Sequence, residues 1–315
     1  MGDTFMIDIT IAILSHNHIN TIERAIRSVL SQHITYTYRL LLFDDASTDG
    51  TQEVLKKYHE QHPEKTKLFI FDKCEGPVVR ATQIYQNSHS KYLCWLDADD
   101  YWTYEYKLQK QVDFLENNPE YAGCFHDAQI VSSISEENGT ASRQSLQKYK
   151  YYSQFNHYEP DFHPYHLLMR NIIPTASLVL RLLDFDAFFN HYSFPPFSFS
   201  WAFQLYIIRN SKFYYFNECW SAYYDHSEGI SKKISSEAFT LNNIRLLLWF
   251  KKDPFYKKYR NKIFFSIARE YEILAYRNGR TQLKYGFLMQ HYYFKAWLLT
   301  AWWYFLNLIK QVLKS

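Results

Sequence analysis

Cysteine is scarce in this chain: Cys74, Cys94, Cys124 and Cys219 stand far apart in 315 residues, with no C-x-x-C pair. Cys94 and Cys124 fall in apolar runs typical of buried thiols in a reducing compartment, which argues against a disulfide scaffold. Excess charge is lacking too. The formal net charge is +3, and Lys and Arg are scattered along most of the sequence, so nucleic acid is not the expected partner. No stretch of about 18 to 20 apolar residues is available to span a bilayer. The N-terminus, "MGDTFMIDIT", lacks the basic start and apolar run of a signal peptide, which predicts a cytoplasmic protein. Glycine is sparse, at 8 residues, whereas 28 Tyr, 25 Phe and 8 Trp form an aromatic excess concentrated in the second half.

What is present is alternation. Apolar runs with strand character recur at 7–14 ("IDITIAIL"), 39–43 ("RLLLF"), 67–71 ("KLFIF") and 92–96 ("YLCWL"). Helical patterns, with apolar residues three and four apart, fall at 21–31, 51–59, 77–87 and 107–117. Strand and helix in strict alternation predict βαβ units and a mostly parallel sheet flanked by helices. Ligands of such sheets sit beyond the carboxyl ends of the strands. The polar clusters "SHNHIN", "DDASTDG" and "DADDYW" follow the first, second and fourth strands. A polar, Tyr-rich segment at 139–158 reads as a long loop. Beyond it, 172–188 suggests a strand leading into a helix, 197–210 a buried helix and 211–226 a strand pair. From 241 the pattern is mostly helical.

The segment "KYLCWLDADDYW" drives an apolar strand into Asp97, Asp99 and Asp100. Carboxylates this close repel unless a cation or proton intervenes. Hard oxygen ligands with the small Ala98 between them suit Mg²⁺ or Mn²⁺, a diphosphate supplying the remaining ligands. The blander reading is that Asp99 and Asp100 cap the next helix. Asp44 and Asp45, at the end of the second strand, offer acceptors for the N–H of a bound base, and Ser47 or Asp49 a helix cap. A D-x-D also occurs in haloacid-dehalogenase-type phosphatases. There it usually continues with Thr or Val near the N-terminus, whereas here Asp100 and Tyr101 follow, about 90 residues in.

In order and spacing, "ITIAILSHNHINTIERAIRSVLSQ", "LLFDDASTDGTQEVLKKY", "GPVVRATQIYQNSHSKYLCWLDADDYW" and "KLQKQVDFLENNPEYAGCFHD" resemble family 2 glycosyltransferases of the GT-A fold, a Rossmann-like α/β class. The resemblance runs from about Asp8 to Val131. It implies a nucleotide-sugar donor, with Ser15, His16 and Asn17 at the base pocket and Asp44 and Asp45 at uracil and ribose. Arg80, Asp97 and Trp102 would complete the nucleotide-sugar residues. Asp97 and Asp99 would form the D-x-D, with Asp99 the foremost metal ligand. "YYDHSEGIS" resembles the family's "YRxHxxGxS" stretch, which makes His226 a further ligand candidate. The expected organisation is a GT-A domain over 1–235, with a nucleotide-sugar part at 1–130 and an acceptor part at 131–235. Residues 236–315 form a helical appendage.

Inverting transfer needs a carboxylate base. Where relatives carry an acid ahead of an apolar helix, this chain has Ser200 before Trp201. Asp127, which the sequence suggests ends a strand on the ligand side, is the favoured substitute; Asp184, Asp186 and Glu218 are the others. Serine at that position also admits a catalytically silent relative that binds nucleotide or glycan.

In the tail, Lys295 and Lys310 bracket the fourteen residues "AWLLTAWWYFLNLI". That run is too short to span hydrocarbon. Its Trp and Tyr, with basic flanks, predict an interfacial helix on anionic lipid, the alternative being docking on the protein's own core or a second subunit. Together these features lead to the expectation of a metal-dependent hexosyltransferase at the inner face of the cell membrane. It would move a sugar, from a UDP-sugar, to a saccharide or lipid-linked saccharide in surface polysaccharide or glycoconjugate synthesis.

Overall fold

The computed structural model describes residues 7–132, 150–154, 158–182, 188, 199–226, 235–276 and 282–312. Two compact units result. The first comprises Met1–Phe162, Ile172–Pro196 and Ser211–Ser227; the second comprises His163–Asn171, Phe197–Asn210 and Glu228–Ser315. His163–Asn171 and Phe197–Asn210, both inside 1–235, therefore group with the C-terminal helices.

The first unit begins with the expected alternation: β1 (Ile7–Ser15), α1 (Ile22–Leu30), β2 (Tyr38–Asp45), α2 (Thr51–Gln61), β3 (Thr66–Phe71), α3 (Pro77–Gln86) and β4 (Ser90–Asp97). After these come β5 (Tyr101–Trp102), α4 (Lys107–Asn117), β6 (Tyr121–Ser132), β7 (Asp161–Phe162), β8 (Val179–Arg181) and β9 (Lys212–Asp225). The sheet order is β3-β2-β1-β4-β8-β6-β9-β5, with β7 paired to β9. The first four strands are mutually parallel, whereas β8 runs antiparallel to both β4 and β6.

Both faces of the parallel half are covered, which explains its near-continuous apolar strands. Ile9, Ile11, Ile13, Leu40, Leu42, Cys94 and Leu96 pack with Ile26 of α1, Leu55 of α2 and Val112 of α4. On the other face Ala12, Leu41 and Phe43 meet Ile84 of α3. Each fully buried Ile or Leu contributes about 1.5–3 kcal/mol relative to exposure. Register then aligns the polar strand ends: Ser15 is opposite Asp44, and Leu14 is opposite Asp97.

Two expectations change here. Residues 211–226 form one strand rather than a strand pair. Opposite β6 the register jumps from Phe216 to Cys219, so Asn217 and Glu218 sit in a bulge instead of a turn. Nor does Asp127 end its strand: β6 continues to Ser132, with Asp127 in the same irregular region.

The second unit holds α5 (Pro164–Met169), α6 (Phe199–Ile208), α7 (Ser236–Phe250), α8 (Arg260–Ala275) and α9 (Leu283–Val312). His163 and His166 form a reciprocal cap at the start of α5, the His163 N–H donating to His166 Nδ1 at 2.9 Å. In α6, Trp201 donates its indole N–H to the Leu167 carbonyl at 2.7 Å. α8 and α9 run antiparallel, joined by Asn261–Thr300 and Glu272–Tyr293 hydrogen bonds.

Candidate active site

The carboxyl edge of β1, β2 and β4 is built by mutual loop contacts. Asn17, in the left-handed region at φ 59°, accepts from the Thr48 N–H at 2.8 Å and donates its own N–H to Ser47 Oγ at 2.8 Å. Ala46 is also left-handed, at φ 63°, a costly conformation for a residue with a Cβ. Ser15 Oγ donates to Asp44 Oδ2 at 3.1 Å, and His16 Nδ1 lies 2.7 Å from the Asp45 carbonyl.

Asp44 and Asp45, expected at a bound nucleotide, are turned inward. Asp44 is fully buried and accepts from Ser15, from the N–H and hydroxyl of Ser47, and from Gln52 Nε2 at 2.9 Å. Asp45 accepts from Arg80 Nε at 2.7 Å, the Gly76 N–H at 2.9 Å and the Glu75 N–H at 3.1 Å. Burial alone would raise the Asp45 pKa, but the Glu75 and Gly76 N–H groups and Arg80 outweigh it and hold the carboxylate below its usual range. Arg80 is buried, also donates to the Lys73 carbonyl at 2.6 Å, and covers the Phe71 ring at 3.5 Å. These residues shape the loops, whereas His16 and Asn17 are exposed.

Trp102 is likewise part of the core. Its indole N–H donates to the Ala176 carbonyl at 2.8 Å, and Lys107 Nζ lies 4.1 Å from its ring. Trp102, which the resemblance places among the nucleotide-sugar residues, anchors the end of the β4–β5 turn from the core.

That turn carries the acids. Burial, then repulsion from Asp99, pushes Asp97 up to about 7. Burial followed by Asp99 and Asp97 raises Asp100 well above the usual carboxylate range, although the Tyr224 N–H donates to Asp100 Oδ1 at 3.0 Å. Asp99 Oδ2 lies 2.9 Å from His226 Nε2, just past the end of β9. The sequence reading therefore brought together Asp97, Asp99 and His226. It passed over their neighbours. His18 lies within electrostatic reach of Asp99 and His226, and burial holds its pKa low. Arg24 stacks on Tyr101 at 4.1 Å and faces Tyr224 at 5.2 Å. Asp225, next to His226, adds a fourth acid: Asp100, Asp225, Asp99 and Asp97 all raise the Tyr223 pKa after burial does. The available signal was spacing, since His18 belongs to "SHNHIN" and Asp225 to "YYDHSEGIS".

Among the described residues no group of three or more His, Cys, Asp or Glu is already arranged as a metal centre. The donor set nevertheless suits a hard divalent ion completed by phosphate oxygens: crowded carboxylates that repel one another, with one imidazole in contact.

The residues expected to act as base are distributed otherwise. Asp127 is buried, accepting from Ser153 Oγ at 2.5 Å and the Ser153 N–H at 3.0 Å. It is five positions before Ser132, the residue opposite Asp225, or about 16 Å along the strand at ~3.3 Å per residue. Glu218 is exposed and pairs with Lys110 at 3.5 Å. Ser200 is the second residue of α6, in the second unit. Asp184 and Asp186 lie outside the described residues.

The sheet is a doubly covered, mostly parallel α/β sheet with acidic and imidazole side chains at its carboxyl edge, and the model of "Glycosyl transferase family 2" matches residues 10–181. The chain belongs to that family. It is 32% identical over 101 residues to TuaG of Bacillus subtilis, named for teichuronic acid biosynthesis, covering 32% of this chain and 39% of TuaG. Its fold is similar to S. aureus TarS 1–349 in complex with UDP-GlcNAc, with a TM-score of 0.64 at 14% identity over 92% of this chain and 79% of that one. It is also similar to the Pyrobaculum calidifontis mannosyltransferase PcManGT in complex with GDP-Man and Mn²⁺, with a TM-score of 0.52 at 14% identity over 95% and 88%. The chain spans about half the length, or less, of the curated relatives it matches.

Proposed function

We propose that this chain transfers a hexosyl group from a UDP-sugar, with inversion, to a hydroxyl of a saccharide acceptor. The acceptor is carried on lipid at the cytoplasmic face of the membrane, in surface polysaccharide or glycoconjugate synthesis. The observation that carries the reading is the acidic β4–β5 turn at the carboxyl edge of the sheet, with Asp99 held against His226. Uridine and a saccharide-polymer role draw support from what TarS binds and what TuaG is named for.

In this reading the acceptor oxygen bonds to the anomeric carbon, the bond from that carbon to the diphosphate oxygen breaks, and a carboxylate takes the acceptor proton. Asp97, Asp99 and His226 would hold Mn²⁺ or Mg²⁺, which when bound offsets the charge of the departing diphosphate. Ser15, His16 and Asn17 form the wall beside the base. Asp44, Asp45 and Arg80 fix that wall from behind. Trp102 steadies the turn from the core.

A second reading is a silent relative that binds nucleotide or glycan without turnover. It is favoured by Ser200 at the usual acid position and by the engagement of Asp127 with Ser153. Calorimetry with UDP and Mn²⁺, followed by donor turnover with saccharide acceptors, separates the two. Turnover supports transfer, Mn²⁺-dependent binding without turnover supports a silent nucleotide-binding relative, and absence of UDP binding defeats transfer from a UDP-sugar and leaves only a silent glycan binder.

A further inference from the structure

The second unit has its own concentration of charge. Residues 251–262 contain Lys251, Lys252, Lys257, Lys258, Arg260 and Lys262 against one acid, Asp253, and Asp253 pairs with Arg209 at 3.9 Å. Folding brings Lys295 of α9 to the same place. Lys251, Arg260 and Lys295 line an open pocket of about 380 Å³ with Phe264, Leu298 and Leu299. The Lys251 and Lys295 ammonium groups both lie within 6 Å of the Phe264 ring, at 5.8 and 5.7 Å. Among the described residues no carboxylate pairs with any of the three cations.

From the rim of this pocket α9 outruns its partner helix. Asn261, the second residue of α8, meets Thr300, so residues 301–312 extend past the start of α8 by about 18 Å at ~1.5 Å per residue. Trp302, Trp303, Tyr304, Phe305 and Leu306 are 60%, 59%, 65%, 52% and 40% exposed. Five consecutive positions at about 100° each pass right round a helix, so no single face could cover them. The overhang is shorter than the ~30 Å of bilayer hydrocarbon, and no helix among the described residues is long and apolar enough to cross a membrane.

The geometry points to a docking surface for an anionic phospholipid bilayer: the α9 overhang enters the headgroup boundary while Lys251, Arg260 and Lys295 gather lipid phosphate at its root. Charge selects the occupant. An apolar protein partner would cover the aromatic residues but leave the cations desolvated and uncompensated, and a second copy would set them against like charge, whereas an anionic interface satisfies both. The α7–α9 surface lies wholly within the second unit and does not depend on glycosyl transfer.

The test is flotation of the full chain with phosphatidylcholine vesicles with and without phosphatidylglycerol, monitored also by tryptophan fluorescence. The intact chain floats with the anionic vesicles, its emission shifts to the blue, and binding weakens as salt rises. Combining Lys251→Gln, Arg260→Gln and Lys295→Gln weakens partition roughly 100-fold, as expected for three basic side chains at an anionic surface. Trp302→Ser with Trp303→Ser reduces both attachment and the blue shift. Unchanged thermal unfolding in each variant shows that the fold persists. The proposal is overturned if the intact chain fails to float, or if it floats equally with neutral vesicles and ignores the triple substitution. It is overturned too if a concentration-dependent dimer buries Trp302 and excludes lipid. A single-stranded oligonucleotide that binds more tightly than vesicles, with affinity indifferent to the Trp substitutions, would reassign the surface to nucleic acid.

Discussion

Asp99 Oδ2 and His226 Nε2 are 2.9 Å apart although 127 positions separate them in sequence. The contact ties the β4–β5 turn to the end of β9, so the acids and the imidazole are positioned by two different strands. Asp99→Ala is expected to reduce Mn²⁺-dependent UDP affinity by at least ~100-fold with the fold intact, because the change lies in a partly exposed turn. Calorimetry with and without Mn²⁺ reads this directly. Undiminished Mn²⁺-dependent affinity would remove Asp99 from the metal.

Arg80→Met should destabilise the first unit by about 3 kcal/mol, since it strips a buried carboxylate of its charged partner. Asp45 retains the Glu75 and Gly76 N–H groups, so unfolding stays cooperative while the midpoint in urea falls. Equal midpoints for both proteins would mean that the ion pair carries no net stability.

Two glycines should respond differently to alanine. At Gly123 a Cβ would stand 2.7 Å from the Val179 carbonyl oxygen and 2.9 Å from Leu180 Cδ2, so β8 must shift. Gly76 has open space but a φ of +84° with ψ 172°, a region essentially restricted to glycine, so its cost is backbone strain of about 1–3 kcal/mol. Gly123→Ala costs about 2–3 kcal/mol through the clash instead, read by thermal unfolding. An unchanged melting midpoint for Gly123→Ala would contradict the β6–β8 packing.

Lys107 is fully buried beside Cys94, and burial lowers its pKa despite the opposing pull of Cys94 and Cys124. The unfolded chain holds the proton more tightly, so this lysine's penalty is complete below the folded pKa. It fades as pH rises towards the unfolded value near 10.5. Lys107→Met should raise stability at neutral pH and flatten the rise of stability with pH in the alkaline range. Denaturant melts at neutral and alkaline pH give the two slopes, and identical slopes would count against the buried lysine as their source.

Asp127→Asn is expected to lower stability by about 1–2 kcal/mol through its Ser153 contacts while turnover per folded molecule is retained. A loss of turnover at unchanged stability would instead make Asp127 the base.

The first half of the fold was readable because its strands are continuous apolar runs and its helices have clean periodicity; α4, for example, occupies its expected 107–117. The second half was harder for physical reasons. β8 has only three residues, too few for a period, and is held by its neighbours rather than by propensity. Residues 211–226 suggest a strand pair, but parallel pairing with β6 carries one strand past the polar Asn217 and Glu218. At the site, chemistry was legible and orientation was not. Asp44 and Asp45 are acids at a strand end in either case, and only the donors around them show that they face inward. The basic face of α7–α9 was hidden because packing, rather than spacing, adds Lys295 to the cluster at 251–262.

The inward-facing Asp44 and Asp45 have a consequence for ligand entry. Loops that are hydrogen-bonded to buried carboxylates have already lost their freedom before any ligand arrives, so under the proposed function little further ordering entropy opposes nucleotide binding. Such a wall is a preset mould. Under that function it discriminates by shape against a poorly fitting base instead of adapting to it, and substitutions at Asp44 or Asp45, which loosen the wall from behind, should blur the selectivity.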